Sequence, residues 1–381
     1  MAATSIDWAA IRAQFPAIQN CTYLNTATFG QLAVRAQQAT AQHYAHRDEL
    51  ASSDFLDWFT DMDKIRDDVA RLIHAQSGDD IAFFVNAASV LSLLIGGIDW
   101  REGDRVVTLE NEFPNNIYMP SLLQLQGVEF VQASLEGLWE AITPRTRLVA
   151  LSTVNYTTGM RVPLAEVCAK LRSMGVLIYL DATQSLGALE LNIAELQPDV
   201  VGVDAYKWLC SPNGAGFGYF SAAVREWLKP AVVGWRSHKN WRDVRSLHQG
   251  IPEFSSKAER YEGGMICFPS LYAMGESVSM FLEAGPANVE ERVLSLAQEC
   301  RARLRSAGAE VLADHATNHI SPIIAAKFAG VDSAVLAREL RAKGVHVSAR
   351  SEWLRVSVHW YNDESDLDVL AEALKDRGRG R

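Results

Sequence analysis

Two short apolar runs, at residues 176–180 and 200–203, constrain the fold of this chain more than any other feature. Each has the length of a buried strand. Each is also followed by an ionisable residue, Asp181 directly after the first run and Lys207 shortly after the second. Open α/β sheets bind their ligands outside the carboxyl ends of the strands. Asp181 and Lys207 are therefore predicted to face one ligand site.

The surroundings of Lys207 predict a reactive amine. Trp208 adjoins it and a glycine-rich run follows, so burial would lower the pKa of the amine and leave it nucleophilic. Such an amine can form a Schiff base with an aldehyde. A carboxylate at Asp181 can pair with a cationic ring nitrogen, as pyridoxal 5'-phosphate requires. Alone, either residue would be interpreted as a surface lysine or a turn aspartate, but together they predict that cofactor.

From residue 81 onward, apolar runs alternate with loops and helical segments. The runs at 81–85, 105–109, 128–133 and 148–152 precede the two described above. This alternation predicts a mostly parallel sheet with helices on both faces. We expect an N-terminal segment over residues 1–19, a large α/β domain over 20–250, and a linker helix with a smaller α+β domain over 251–381.

Two motifs carry a family resemblance. D-A-T-Q at 181–184 and Y-K-W-L-x-x-P-x-G-x-G-F-G-Y at 206–219 resemble the class V aminotransferase family of fold-type I pyridoxal phosphate enzymes. That family includes cysteine desulfurases, kynureninases and isopenicillin N epimerases. The resemblance extends over residues 23–362. It implies a fold-type I PLP-dependent transferase that binds its cofactor through a Lys207 Schiff base, acts on a small amino acid and forms a homodimer.

The resemblance also implies a phosphate site. The loop N-A-A-S at 86–89 lies between a predicted strand and a predicted helix, where backbone amides at a helix N-terminus bind phosphate. Ala88 and Ser89 match the family's phosphate-binding positions, although a simple N-cap at Asn86 or Ser89 would also explain the pattern. Tyr206 matches another phosphate-contacting position.

Two residues depart from the family pattern at this end of the site. Asp204 stands where relatives often have a serine, and its carboxylate would repel a phosphate dianion unless it pairs elsewhere. Met265, in R-Y-E-G-G-M, replaces a threonine that in relatives reaches the phosphate of the neighbouring subunit. The contribution of a partner subunit is therefore left open.

Three further residues match positions around the cofactor ring. Phe113 follows a strand and would stack on the ring, although an aromatic residue at this point can also be part of the core. Asn155 and Gln184 match residues near the phenolic oxygen of the cofactor. Amide side chains suit that role because another carboxylate would repel a phenolate.

The predicted substrate end combines distant segments. T-Y-L-N-T-A-T-x-G at 22–30 resembles a pocket motif, which makes Asn25 and Ala27 candidates. Trp235 belongs either to the pocket or to a dimer surface. Arg355, in the alternating segment 353–362, matches the arginine that clamps the substrate α-carboxylate as a bidentate pair. A structural Asp or Glu would be the alternative partner of this arginine.

The reaction is less constrained than the cofactor. No cysteine lies between residues 320 and 355, so we expect that the enzyme is not a cysteine desulfurase. An aminotransferase or epimerase-like enzyme is the first choice. A C–S or C–C lyase, acting by β-elimination or kynureninase-like hydrolysis, is the alternative. A non-catalytic cofactor-binding module is a further reading, supported only by Asp204 and Met265.

Charge and composition bound the partners and the location. The formal net charge of -10 disfavours binding to nucleic acid and to anionic membranes. Residues 1–19 lack the apolar core of a signal peptide, and no run approaches the ~20 residues of a membrane span, so a cytoplasmic location is expected. The five cysteines lack C-x-x-C spacing, so we expect no metal site and mostly buried free thiols.

Overall fold

The computed structural model describes residues 6–312 and 320–375. The first five residues of the predicted N-terminal segment and the last six of the predicted small domain lie outside the described residues. The strands are β1 (Thr22–Tyr23), β2 (Ile81–Phe84), β3 (Arg105–Leu109), β4 (Glu129–Ala133), β5 (Thr146–Ser152), β6 (Leu177–Asp181), β7 (Val200–Asp204), β8 (Gly216–Phe220), β9 (Glu310–Val311), β10 (Ile323–Lys327), β11 (Val345–His346), β12 (Ser348–Arg350) and β13 (Trp353–Ser357).

Helices connect most of these strands and cover the sheets. They are α1 (Trp8–Ala13), α2 (Val34–Leu50), α3 (Phe55–Leu72), α4 (Ala87–Gly97), α5 (Asn115–Leu122), α6 (Leu138–Ala141), α7 (Leu164–Ser173), α8 (Ile193–Leu196), α9 (Ala222–Trp227), α10 (Phe268–Ala284), α11 (Pro286–Ser306), α12 (Ser333–Ala342) and α13 (Glu364–Lys375).

The large sheet has the strand order β2-β8-β7-β6-β5-β3-β4. β8 runs antiparallel to β2 and β7, and all the other neighbours are parallel. Successive residues of the central strands point into different cores: Ile178 and Leu180 into one, and Tyr179 into the other. Burial on both faces explains why these strands read as continuous apolar runs. The predicted mostly parallel α/β sheet is confirmed.

Register brings the carboxyl ends of β5 and β6 level with one another, and the neighbouring β7 continues two residues further. Asp181, the last residue of β6, pairs with Ser152 at the end of β5 and with Gly202 in β7. Lys207 lies in the turn that follows β7. The edge of the sheet therefore presents the carboxylate and the amine on adjacent strands, as expected for parallel strands.

A smaller antiparallel sheet, of order β12-β13-β10-β9, has its own apolar core. The short N-terminal strand β1 pairs in parallel with β11, and Leu24 donates its amide to His346 and accepts from the Ser357 amide. These bonds tie the segment before Asn25 to the C-terminal part of the chain. The proposed domain limits at residues 20 and 250 stay a prediction.

Within residues 6–312 and 320–375, none of the helices combines the length and apolar character needed to cross a membrane. The described cysteines are free thiols, of which Cys168, Cys210 and Cys300 are buried as predicted.

Candidate active site

Lys207 lies in a tightly packed turn beneath the N-terminal loop. Only 6% of its surface is exposed, and burial lowers the pKa of its amine. Among the described residues, no hydrogen bond or ion pair reaches its Nζ atom. Gly30 makes this packing possible, because a Cβ atom there would stand 1.9 Å from the Lys207 carbonyl oxygen. The Gly30 amide instead donates to the carbonyl of Tyr206, at 2.9 Å.

Asp181 and Asp204 form the acidic floor of the site. The Asp181 Oδ1 atom accepts from the amide of Thr183, at 2.9 Å, and Oδ2 has no hydrogen-bond partner among the described residues. Asp204 Oδ1 accepts from the amide of Ala87, at 2.7 Å. Burial, with the negative charge of Asp181, raises the pKa of Asp204 to about 6. The negative charges of both carboxylates raise the pKa of the Lys207 amine, but burial outweighs them and the pKa is lowered.

The bond to Ala87 explains how Asp204 can lie beside a phosphate-binding loop. Ala87 is the first residue of α4, and its amide is one of the donors at that helix end without an intrahelical partner. Asn86 caps the helix, accepting from the Ser89 amide and from the Ser89 hydroxyl, both at 2.9 Å. The expected N-cap is confirmed. The amide of Ala88 remains available at the positive end of α4.

The two predicted amide residues are held by their oxygen atoms and keep donors free. Asn155 accepts from Thr157 and Thr158, and its Nδ2 donates to the carbonyl of Asn111. Gln184 accepts from the indole of Trp208, at 2.9 Å, and donates to the carbonyl of Ala27, at 3.1 Å. An amide nitrogen carries two N–H donors, so each side chain has one donor left.

Aromatic rings surround the Lys207 amine. Nζ lies 5.4 Å from the centroid of Phe113 and 5.5 Å from that of Tyr206. Phe113 is 37% exposed and packs edge-on against Tyr156, so it is not a core residue. Burial raises the pKa of the Tyr206 hydroxyl to about 12, with Asp204 and Asp181 contributing, and the hydroxyl therefore remains protonated at neutral pH.

Arg355 is buried without an acidic partner. It is 1% exposed, and it donates to the carbonyl of Tyr156 at 2.7 Å, to the Thr28 hydroxyl at 2.6 Å and to the Ser348 hydroxyl at 3.1 Å. Among the described residues, no Asp or Glu lies within ion-pair distance. Burial, together with the positive charge of the nearby Arg350, lowers the pKa of Arg355 to about 9. The alternative of a structural acid as its partner therefore fails.

The N-terminal loop brings Asn25 and Ala27 to the same region. Asn25 accepts from the Thr28 hydroxyl, at 2.9 Å, while the Ala27 amide donates to the Ser357 hydroxyl, at 3.0 Å. Thr28 thus joins the loop to Arg355. The turn carrying Lys207, the loop at 25–30 and strand β13 meet at one place.

Trp235 lies in a different environment. Its ring packs edge-on against Phe59 and Trp241, with centroids 6.1 and 5.4 Å away. The neighbouring Arg236 is fully buried and donates to Glu262, at 2.8 Å. Among the described residues, its ring contacts are with Phe59 and Trp241 rather than with Lys207 or Arg355, so its role in the pocket stays a prediction.

Three residues of the site were missed by sequence reasoning. Thr28 belongs to the motif at residues 22–30, and a hydroxyl at that position could have identified it as a candidate pocket residue. Glu112 follows β3 and accepts from the amide and hydroxyl of Ser152, and burial raises its pKa. Arg350 lies three residues before the first residue of β13, and only the fold reveals that it shares Thr28 with Arg355.

The fold and this arrangement define a class of protein. The family model for aminotransferase class-V matches residues 26–370. The chain therefore belongs to the class-V aminotransferase family, as the motifs at 181–184 and 206–219 indicated.

Individual relatives cover nearly the whole chain. Isopenicillin N epimerase of Streptomyces clavuligerus is 26% identical over 400 residues, with 97% of this chain and 98% of the relative covered. A probable cysteine desulfurase of Methanothermobacter thermautotrophicus is 23% identical over 397 residues, covering 96% and 97%.

Solved structures show the same fold. The cysteine desulfurase CsdA of Escherichia coli aligns with a TM-score of 0.85 at 22% identity, over 99% of each chain. A mutant of C-DES with glycine covalently linked to the PLP cofactor aligns with a TM-score of 0.86 at 22% identity, over 96% of this chain and 99% of that one. The predicted fold-type I architecture is confirmed.

The exclusion of cysteine desulfurases was wrong. Relatives bearing that name match almost the full chain, and CsdA has the same fold. The exclusion relied on the absence of cysteine from one segment, residues 320–355. Loops vary more than the elements they connect, so one missing loop residue does not separate this chain from that class.

The residues of the site fit the predicted cofactor, pyridoxal phosphate, which family membership also supports. A buried amine without a partner, a carboxylate with a free oxygen and an uncapped helix amide are the groups needed for an aldehyde, a ring nitrogen and a phosphate. We find no mismatch at Asp204, because its carboxylate is already bound to a backbone amide.

Proposed function

We propose that this protein is a pyridoxal phosphate-dependent enzyme that acts on an α-amino acid as an aminotransferase or an epimerase-like enzyme. One observation carries the proposal. The buried amine of Lys207, without a hydrogen-bond or ion-pair partner among the described residues, shares its site with Asp181 and with the unpaired guanidinium of Arg355.

In this proposal the residues divide between the parts of the cofactor. Asp181 holds the ring nitrogen, Phe113 lies against the ring, and Asn155 and Gln184 donate toward the phenolic oxygen. The phosphate is bound at the N-terminus of α4 by Ala88 and Ser89, with Tyr206 donating and Asp204 orienting the helix end through Ala87. When bound, pyridoxal phosphate supplies an aldehyde for condensation with amines and a ring that withdraws electrons.

Lys207 and Asp181 are the proposed catalytic residues. Because burial lowers the pKa of Lys207, a larger fraction of its amine is neutral at physiological pH, as a nucleophile and general base requires. Lys207 would take a proton from the substrate Cα. Its return to the same face of Cα would regenerate the substrate, so transamination would require delivery of the proton to the aldehyde carbon of the cofactor instead. Asp181 keeps a proton on the ring nitrogen through its free oxygen. Arg355 binds and orients the α-carboxylate, with Asn25 and Ala27 shaping the adjoining wall.

A lyase that cleaves a C–S bond is the second candidate. The relatives and neighbours named cysteine desulfurase favour it. Lys207 would abstract the same Cα proton in a lyase and in an aminotransferase, so residues shared by both classes do not distinguish them. A C–C lyase and a non-catalytic module lack a specific observation in their favour.

A homodimer forms part of the proposal. Val85, Val232 and Met265 are exposed by 59, 64 and 59%, and they line one cavity of ≈ 790 Å³ together with Ala88 and Ser89. An exposed apolar patch of this kind marks a protein interface. A second copy of the chain would cover the phosphate end of the site there. Met265 has no donor side chain, so its contribution is apolar contact.

Titration of purified protein with pyridoxal phosphate tests the cofactor and its attachment. Wild-type protein should develop the visible absorbance band of the lysine-bound cofactor, and Lys207→Ala should not. The exposed Lys229→Ala should behave as wild type. Equal spectra for the wild type and Lys207→Ala would contradict the proposal.

The reaction is then assigned from products. Mass spectrometry after incubation with a panel of amino acids separates keto acid, inverted amino acid and released sulfide or thiol. Keto acid or inversion supports the first candidate, and sulfur release with pyruvate or alanine replaces it with the second.

A further inference from the structure

A second arginine stands next to the proposed carboxylate clamp. Arg350 ends β12, where Ser348 pairs with Arg355 across the sheet. The Nη2 atom of Arg350 donates to the Thr28 hydroxyl at 3.3 Å, and Nη1 donates to the carbonyl of Ala349 at 2.8 Å. The same Thr28 oxygen accepts from Arg355 at 2.6 Å. One hydroxyl oxygen therefore bridges two guanidinium groups.

The Thr28 hydroxyl has no capacity left for another ligand. Its oxygen accepts two hydrogen bonds, and its proton is donated to Asn25 Oδ1, at 2.9 Å. A hydroxyl offers one donor and two acceptor lone pairs, so its capacity is filled. The guanidinium groups, by contrast, each carry five N–H donors and retain some that are unused. Thr28 orients the two arginines but leaves them free to bind an anion.

The charges of this pair are not balanced by the protein. Among the described residues, no carboxylate lies within 4.0 Å of Arg350 or of Arg355. The positive charges of Arg355 and Arg350 also lower the pKa of the Lys207 amine. Two neighbouring cations are costly to hold together in a partly buried position when their only partners are neutral hydrogen-bond acceptors. One α-carboxylate would balance only one of them.

We propose that Arg350 forms a second anion subsite beside Arg355, so that the substrate is an α-amino acid whose side chain carries a second acidic group. The inference rests on the proposed function, because it assigns the α-carboxylate to Arg355. Arg350 binds the distal acid and determines specificity, while Thr28 keeps the two guanidinium groups at a fixed spacing. Substrates with neutral side chains leave Arg350 without a counter-ion.

Binding of unreactive carboxylates to the cofactor-loaded protein tests this proposal. Succinate and glutarate carry two carboxylates, while butyrate and valerate have the same chain lengths and carry one. Calorimetry should show that the wild type binds the better dicarboxylate at least about tenfold more tightly than its monocarboxylate partner, as expected for an added charge-assisted hydrogen bond. Arg350→Gln should remove that preference and leave monocarboxylate affinity within about twofold of wild type.

Arg341→Gln is the matched control, since it removes one positive charge from an exposed position on α12. It should retain the preference for dicarboxylates. An equal loss of affinity for both probe types in Arg350→Gln would mean that both arginines bind a single carboxylate, which overturns the proposal. Equal affinity of the wild type for mono- and dicarboxylates overturns it too, and that result needs no variant to fold. Absence of the Lys207-dependent visible band would instead refute the proposed function.

Discussion

The chemistry of the site depends on two carboxylates and one amine. Asp181 and Asp204 lie beside Lys207, and the protein separates their roles through hydrogen bonds. Asp204 is committed to the amide of Ala87, while Asp181 keeps one oxygen free. These contacts assign Asp204 to the N-terminus of α4 and leave Asp181 for the ring nitrogen of the cofactor.

Asp204 should weaken the fold of the cofactor-free protein above neutral pH. Its pKa is raised by burial from 3.8 to about 6, so folding favours the protonated form. The resulting cost is absent below about pH 4, grows as the pH rises, and is fully present above about pH 6. Asp204→Asn keeps an acceptor for Ala87 and should stabilise the protein by about 2 kcal/mol at pH 8.

Denaturant unfolding at pH 4 and pH 8 measures this effect. The exposed Asp243→Asn serves as control and should change stability by less than about 0.5 kcal/mol at either pH. A stabilisation by Asp204→Asn that is equally large at pH 4 would show that burial of its charge is not the cause.

Single residues also show what the sequence predicts and what it does not. Lys207, Asp181 and Arg355 could be identified because each follows or lies within an apolar strand. A charged side chain in such a position requires a partner or a ligand. Arg350 could not be identified, since its importance comes from a hydroxyl shared across a distance of over 300 residues. Trp235 was predicted to belong to the pocket or to a dimer surface; within one subunit its ring packs against Phe59 and Trp241, and the pocket role stays a prediction.

At the scale of elements, periodicity predicted the strands that are buried on both faces. It did not identify β8, because its glycines replace the apolar residues by which strands are recognised. Gly216 is required there by close packing, since a Cβ atom would stand 2.5 Å from the Val203 carbonyl. Helix α3 spans Phe55–Leu72 and lacks a side-chain cap, because Asp54 pairs with His46 instead.

The segment from 232 to 266 is held by one buried acid. Glu262 lies between Arg66 and Arg236, at 2.6 and 2.8 Å, and also accepts from the Phe83 amide. Burial alone would raise the pKa of Glu262, but the two arginines outweigh it and hold the pKa below its usual value. This contact joins α3, β2 and the segment beside the phosphate end of the site.

Glu262→Gln should destabilise the protein by about 3 kcal/mol, because it removes the one fully buried carboxylate between two buried guanidinium groups. Arg66 would keep only the partly exposed Asp63, and Arg236 only the more distant Glu259 at 3.8 Å. Denaturant unfolding at pH 7 measures the loss. Glu253→Gln is the matched control: it breaks an exposed ion pair with Lys239 and should leave the stability close to that of the wild type. Equal effects of the two substitutions would mean that the buried network does not hold this segment.

At the scale of the whole molecule, two sheets and the N-terminal loop converge on one site. The large sheet supplies Asp181 and Lys207, the small sheet supplies Arg355, and strand β1 joins the loop at 25–30 to β11. The site is formed by contacts between segments that are far apart in the sequence. The composition and motifs therefore predict the fold and the cofactor but not the substrate. Specificity depends on side chains that only the assembled fold brings together.

The apolar patch of Val85, Val232 and Met265 should be buried between two copies of the chain. Met265→Glu combined with Val232→Glu is expected to shift the protein from dimer to monomer in sedimentation velocity, because the interface would have to bury two charges. Cofactor affinity should fall in parallel, since the patch adjoins Ala88 and Ser89. Val369→Glu, exposed on α13, should change neither property. A wild-type protein that sediments as a monomer would contradict this assignment.

The central claim is that Lys207 carries the cofactor. Borohydride reduction of the protein loaded with pyridoxal phosphate, followed by peptide mass spectrometry, tests it most directly. One pyridoxyl modification is expected, located on the peptide that contains Lys207. Modification of a different lysine under the same conditions, or of none, would contradict it.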